Sequence, residues 1–281
     1  MLSASALVLL AVFLVISAIT VLNVFKPFKN PLDVYFPSLW VLICYLLVVQ
    51  FIGAEVAIWI LCVLSLAALR EYFSLIAVRP EDRLPIAGAY LAIPITSLLI
   101  MTGQYQGFIL FIPVYGVFIT ALLATLPGYN SKGIVFSLGA INFGLFLFGY
   151  CIGHLGYLTR LSPWLPAMLI LNVTICDLFA IFVGRDKRFS LTKTLMLIPA
   201  TALISLALSG WTELNTIHAL LLGAATPLLV ALSRRTLWYL EEDLGIDKQR
   251  LQPGKGKLID PLKSYLYAAP VILHYITYIK G

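Results

Sequence analysis

The chain has 281 residues, of which 61% are hydrophobic and only 11% are charged, against roughly 25% charged residues in a water-soluble domain. So few charges cannot cover a surface of this size in water, which excludes a soluble enzyme or binding domain and leaves a bilayer as the surrounding solvent. The formal net charge of +6 sits in short loops between apolar runs, a pattern that suits anionic lipid headgroups or nucleotide phosphates rather than nucleic acid.

Ten candidate spans come in chain order, near 3–25, 34–53, 55–77, 84–101, 106–127, 134–158, 163–184, 194–211, 216–233 and 264–280. They predict an all-α, polytopic transmembrane helical bundle. It forms a single integral membrane domain over 1–281, with N-terminal spans over 1–160 and site-bearing spans over 161–281. The first run has no basic residue before it and Lys26 and Lys29 after it, the reverse of a secretory signal, so it reads as a retained helix with its N-terminus outside. With that orientation every one of the 19 Lys and Arg residues except Arg160 and Lys280 falls on the cytosolic side, as the positive-inside rule requires. The expected location is a bacterial inner membrane with both termini outside.

Pro94, Pro113, Gly144, Gly149, Pro199, Pro227 and Pro270 lie inside spans, where lipid-embedded helices tolerate kinks and close approaches. Cys44, Cys62, Cys151 and Cys176 fall in apolar runs with no C-x-x-C spacing and read as small buried hydrophobes.

The chemistry-bearing residues come late in the chain. Asp177 lies in the seventh span about two turns before its cytosolic end, where an ionised carboxylate costs several kcal/mol unless it meets water, a cation or a partner. A structural pair with Asn172 or a loop arginine, and a polar pocket open to the cytosol, are both open readings. A transporter would need intramembrane polar groups on several helices, and Asp177 is the one clear acid in the spans. The following loop holds Arg185, Lys187, Arg188 and Lys193 with the hydroxyls of Ser190, Thr192 and Thr194. It opens the eighth helix, whose free N–H groups favour an anion, so it reads either as a phosphate site or as a topology signal touching lipid headgroups. The longest hydrophilic stretch, from Ser233 to Ser264, contains Arg234-Arg235, Glu241-Glu242-Asp243 and Pro253-Gly254-Lys255-Gly256-Lys257. Gly254 and Gly256 let the backbone fold closely around an anion, and the lysines supply charge.

Taken in order, these segments resemble the phosphatidate cytidylyltransferases, or CDP-diacylglycerol synthases, from about residue 55 to the end. Ala68-Leu-Arg-Glu71-Tyr-Phe-Ser74 is similar to that family's A-x-x-E-[FY] helix end. Asn172 to Gly184 resembles its Asp-bearing segment ending A-Y-x-x-G-[RK], and Ser190-Leu-Thr-Lys193-Thr194 its S-P-x-K-T. Pro253-Gly-Lys-Gly-Lys-Leu-Ile-Asp260 resembles P-G-H-G-G-x-x-D, and Ser264 and Ala269-Pro270 continue the match. The resemblance implies a reaction of CTP with phosphatidate that gives CDP-diacylglycerol and pyrophosphate at a divalent metal. Such chemistry needs cations over the triphosphate and carboxylates for the metal. It implies Asp260, Lys193 and Asp177 as catalytic residues. Ser190, Thr194, Arg185, Lys255, Gly254, Gly256, Lys257 and Ser264 would bind substrate or phosphate, and Asp260 would be the metal ligand. The implied partners are phosphatidate or a related anionic phospholipid, CTP and the membrane, with a homodimer left open.

The departures concern charge. Leu191 replaces the proline of S-P-x-K-T, and Met196 stands where a glutamate is expected. Ser233-Arg234 replaces G-D, Glu241-Glu242 replaces K-R, and the D-R-x-D core reads Asp260-Pro-Leu-Lys263. A protonated lysine repels a metal ion and offers no lone pair, and at a spacing of three residues it shares a helical face with Asp260 and can pair with it. Mg2+ is expected if ordinary synthase chemistry is retained, and no cofactor otherwise. Two readings stay open: an active site rebuilt with lysines, or a fold kept for phospholipid binding without cytidylyl transfer.

Overall fold

The computed structural model describes residues 10, 13–14, 17–18, 36–76, 79–126, 131–182, 191–243 and 259–280. Nine helices make up this part of the chain. They are α1 (Phe36–Phe51), α2 (Ala54–Leu75), α3 (Pro80–Thr102), α4 (Tyr105–Ala124), α5 (Ile134–Leu161), α6 (Trp164–Phe182), α7 (Thr192–Thr212), α8 (Thr216–Asp243) and α9 (Ala268–Lys280). Helix is the expected form, because a lipid-facing backbone must satisfy its hydrogen bonds within its own segment.

Among the described residues the expected spans are corrected to six. Helices α2, α3, α4, α5, α7 and α8 are 20 to 28 residues long and apolar enough to cross a membrane, which identifies an integral membrane protein. At 1.5 Å per residue, about 20 residues are needed for a hydrocarbon core about 30 Å thick. Helix α1 has 16 residues and α9 has 13, and the apolar stretch of α6 is shorter than the six, running over Trp164–Ala180. The first expected span, 3–25, lies mostly outside the described residues. The short helices are sheltered by the others. Leu165, Met168, Leu169 and Val173 of α6 are fully buried, and that helix packs against α1, α5, α7 and α8. Helix α9 turns Ala268, Ala269, Ile272, Leu273 and Ile276 inward against α5 and α8.

Short connections make neighbouring helices antiparallel and separate two ends of the bundle. At one end Arg79 Nη1 donates to the Lys132 carbonyl at 2.7 Å, and Arg79 also grips the buried Asp82 at 2.6 Å, tying the α2–α3 connection to the start of α5. At the other end Arg160 Nη1 donates to the Met101 carbonyl at 2.5 Å, beside Gly103, whose φ of 74° caps α3 in a conformation that favours glycine. Prolines sit within α3 (Pro94) and α8 (Pro227), and a π-helical turn, Phe111–Gly116, contains Pro113. The broadest helix contact is the α7–α8 hairpin. A Cβ on Gly223 would lie 2.6 Å from the Thr201 carbonyl oxygen and 2.8 Å from the Ala202 Cα, so hydrogen at this position is what lets the two backbones touch. All four cysteines are free; Cys62, Cys151 and Cys176 are buried, while Cys44 is exposed on α1, contrary to the buried placement expected for it.

Candidate functional site

Helix α6 carries Asp177 near its end, with 16% of the side chain exposed. Arg234 Nη1, from α8, donates to Asp177 Oδ1 at 3.1 Å, and Ser264 Oγ donates to the same oxygen at 2.8 Å. The acid is therefore paired with an arginine, but that arginine lies on α8 rather than on a loop. Asn172 instead donates from Nδ2 to Ser205 Oγ of α7 at 2.8 Å, where it links α6 to the hairpin one turn deeper.

Ser264 belongs to a compact turn, Ile259–Leu262 followed by the 3-10 segment Lys263–Tyr265, which folds across the ends of α2, α6 and α8. Four bonds fix its register. Glu71 Oε2, at the end of α2, accepts the Ile259 N–H at 3.0 Å. A carboxylate on a free N–H at the start of a turn is a charge-assisted cap. Ser233 Oγ donates to the Lys263 carbonyl at 2.5 Å. The Lys263 ammonium donates to Asp260 Oδ1 at 2.6 Å and also to Glu241 Oε1. The Lys263 side chain is only 8% exposed, Glu241 17% and Asp260 45%.

The Asp260–Lys263 pair expected from their spacing is present. The structure brings Asp177, Ser264, Asp260 and Lys263 to one end of the bundle. Arg234, Glu241 and Glu71 join them there. The sequence marks the first two as charge departures and the third as part of a motif, without singling out any as a site residue. Lys193 and Thr194 lie in the first turn of α7, which packs against α8; Thr194 is buried and Lys193 half-buried. Arg185, Ser190, Gly254, Lys255, Gly256 and Lys257 lie outside the described residues.

Chemically the arrangement is an ion-paired patch rather than a metal cage. Asp177 faces a guanidinium, and Asp260 and Glu241 face one ammonium. Among the described residues no three His, Cys, Asp or Glu side chains are grouped so as to hold a metal ion. Hard divalent ions need about six oxygen ligands, and the Lys263 ammonium already holds Asp260 Oδ1.

The chain is 29% identical over 235 residues to the uncharacterized protein YnbB of Escherichia coli (strain K12), a match that covers 76% of this chain and 77% of YnbB. No family model matches the chain, and no solved structure matches it.

Proposed function

We propose that this chain is a membrane protein of phospholipid metabolism that binds the phosphate of phosphatidate, or of a related anionic phospholipid, on the plan of the phosphatidate cytidylyltransferases. The observation that carries this reading is the meeting of Asp177, Arg234 and Ser264. They come from three segments as many as 87 residues apart, at the end of the bundle where Arg79, Lys132 and Lys263 also gather. The resemblance puts Asp177, Asp260 and Ser264 in one site, and the bond from Ser264 to Asp177 beside the Asp260–Lys263 pair supports that reading. In this reading the charged end faces the cytosol of a bacterial inner membrane and both termini lie outside, in keeping with the positive-inside rule.

On that plan a phosphatidate oxygen attacks the α-phosphorus of CTP while the bond to the β-phosphate breaks, releasing pyrophosphate. Arg234 is placed to neutralise a phosphate oxygen as it gathers charge, with Asp177 and Ser264 holding the guanidinium and its surroundings in register. The divalent ion that the resemblance implies does not fit the residues present, because Lys263 Nζ is on Asp260 Oδ1 at 2.6 Å, and it has no part in this step. That same contact favours a second reading, a phospholipid-binding protein without cytidylyl transfer.

Purified protein in detergent, given phosphatidate, CTP and Mg2+, tests both. Retention of phosphatidate over phosphatidylcholine by about tenfold, or about 1.4 kcal/mol, is expected. CDP-diacylglycerol among the products then marks the enzyme, and retention without product marks the binding protein. Equal retention of the two lipids removes the reading altogether.

A further inference from the structure

We infer that the cation of this site is resident: the Lys263 ammonium does the work of a dissociable divalent metal, and Asp260 is the counter-ion that an incoming phosphate replaces. This rests on the phospholipid reading above for the identity of the phosphate, but its metal half stands independently.

The ammonium is held more firmly than an ordinary surface lysine. Its side chain is 8% exposed, its carbonyl is fixed by Ser233, and its turn is capped by Glu71. An ammonium has three N–H donors and no lone pair. Two of the donors are directed at Asp260 and Glu241, and the one directed at Asp260 is the one assigned to a phosphate oxygen.

The two carboxylates are not equivalent. Glu241 is 17% exposed and is carried by the long helix α8, so water reaches it poorly and it cannot swing away from the ammonium without moving that helix. Asp260 is 45% exposed on a four-residue turn, and rehydration compensates it on release. Exposed ion pairs contribute little, so Asp260 is the partner that exchanges. The trio of Lys263, Asp260 and Glu241 has a formal charge of −1, and an approaching phosphate meets a favourable cation only once Asp260 swings away. Asp260 thus occupies the ammonium in the lipid's absence and competes with the lipid for it.

The metal reading and the resident-cation reading predict opposite signs for one substitution. If Asp260 is a metal ligand, Asp260→Asn weakens phosphate binding and EDTA abolishes it. If Asp260 is a competitor, Asp260→Asn strengthens phosphatidate retention by about two- to fivefold, the strength of an exposed pair, and EDTA changes nothing. Asp260 is half in solvent, so the variant is expected to fold.

Two measurements on purified full-length protein decide the matter: phosphatidate retention by wild type and Asp260→Asn, each with and without EDTA, and titration with Mn2+ followed by the electron paramagnetic resonance signal of the free ion. Expected are the rise in Asp260→Asn, indifference to EDTA, and no Mn2+ bound by wild type in a manner sensitive to Asp260→Asn. Weaker retention in Asp260→Asn, or one Mn2+ bound by wild type and lost in Asp260→Asn, overturns the inference. If no form retains phosphatidate, the phospholipid reading and the phosphate exchange both fail; the Mn2+ titration then decides the resident cation by itself.

Discussion

Lys263→Met is expected to lower the unfolding free energy by about 3 kcal/mol, the low end of the loss typical when one partner of a buried ion pair is removed. Methionine keeps most of the stem's volume and removes the charge. It takes the Lys263 ammonium from Glu241, which is 17% exposed, in surroundings that hydrate a carboxylate poorly. Asp260 adds little to the loss, because at 45% exposure water replaces the ammonium. Adding Glu241→Gln to Lys263→Met should restore more than half of the loss, since the group that lost the ammonium is then neutral. Thermal unfolding of the three proteins in one detergent checks this. A change below about 0.5 kcal/mol on Lys263→Met, within the usual range for a surface substitution, would show that the ammonium does not brace this end of the bundle.

Gly223→Ala should cost about 2 kcal/mol, within the range for overpacked interiors. The new methyl group would stand 2.6 Å from the Thr201 carbonyl oxygen, 2.7 Å from Ser205 Oγ and 2.8 Å from the Ala202 Cα. Two of these belong to backbone that no rotamer change can move, so α7 and α8 must separate. Separation also pulls Ser205 from Asn172 and shifts the helix that carries Ser233, Arg234 and Glu241. Gly210→Ala is the control, because a Cβ there meets nothing within 4 Å, and its stability should be unchanged or slightly raised, since alanine suits a helix better than glycine. Equal melting temperatures for the two variants would contradict the close α7–α8 contact.

Legibility in the sequence depended on range and periodicity. Apolar runs located the helices, because each obeys a local rule, but hydropathy does not register shelter. The chain near Trp164–Phe182 and Ala268–Lys280 is apolar because other helices bury it as well as because lipid surrounds it, so the nine runs within the described residues yield six long spans. The Asp260–Lys263 pair was readable because three residues is a helical spacing. Arg234 on Asp177 and Glu71 on Ile259 bridge 57 and 188 residues. Nothing in one sequence ranks those partners above the other charged residues nearby. The clue for Glu241 was its sign: an acid replaces a base of the resembling motif at the same time as Lys263 replaces an acid. Two reversals that face each other preserve an ion pair, and that became visible only when the fold put them together.

The phospholipid phosphate proposed at the charged end, among α6, α8 and the turn after Ile259, is the centre of the proposed function. Photo-crosslinking with a phosphatidate that carries its reactive group beside the phosphate, with mass spectrometry of the labelled peptides, tests it most directly. Saturable labelling of peptides containing Asp177, Arg234 or residues 259–264 is expected, displaced by unlabelled phosphatidate but not by phosphatidylcholine. Labelling confined to the opposite end, around Gly103, Arg160 and Glu213, would contradict it.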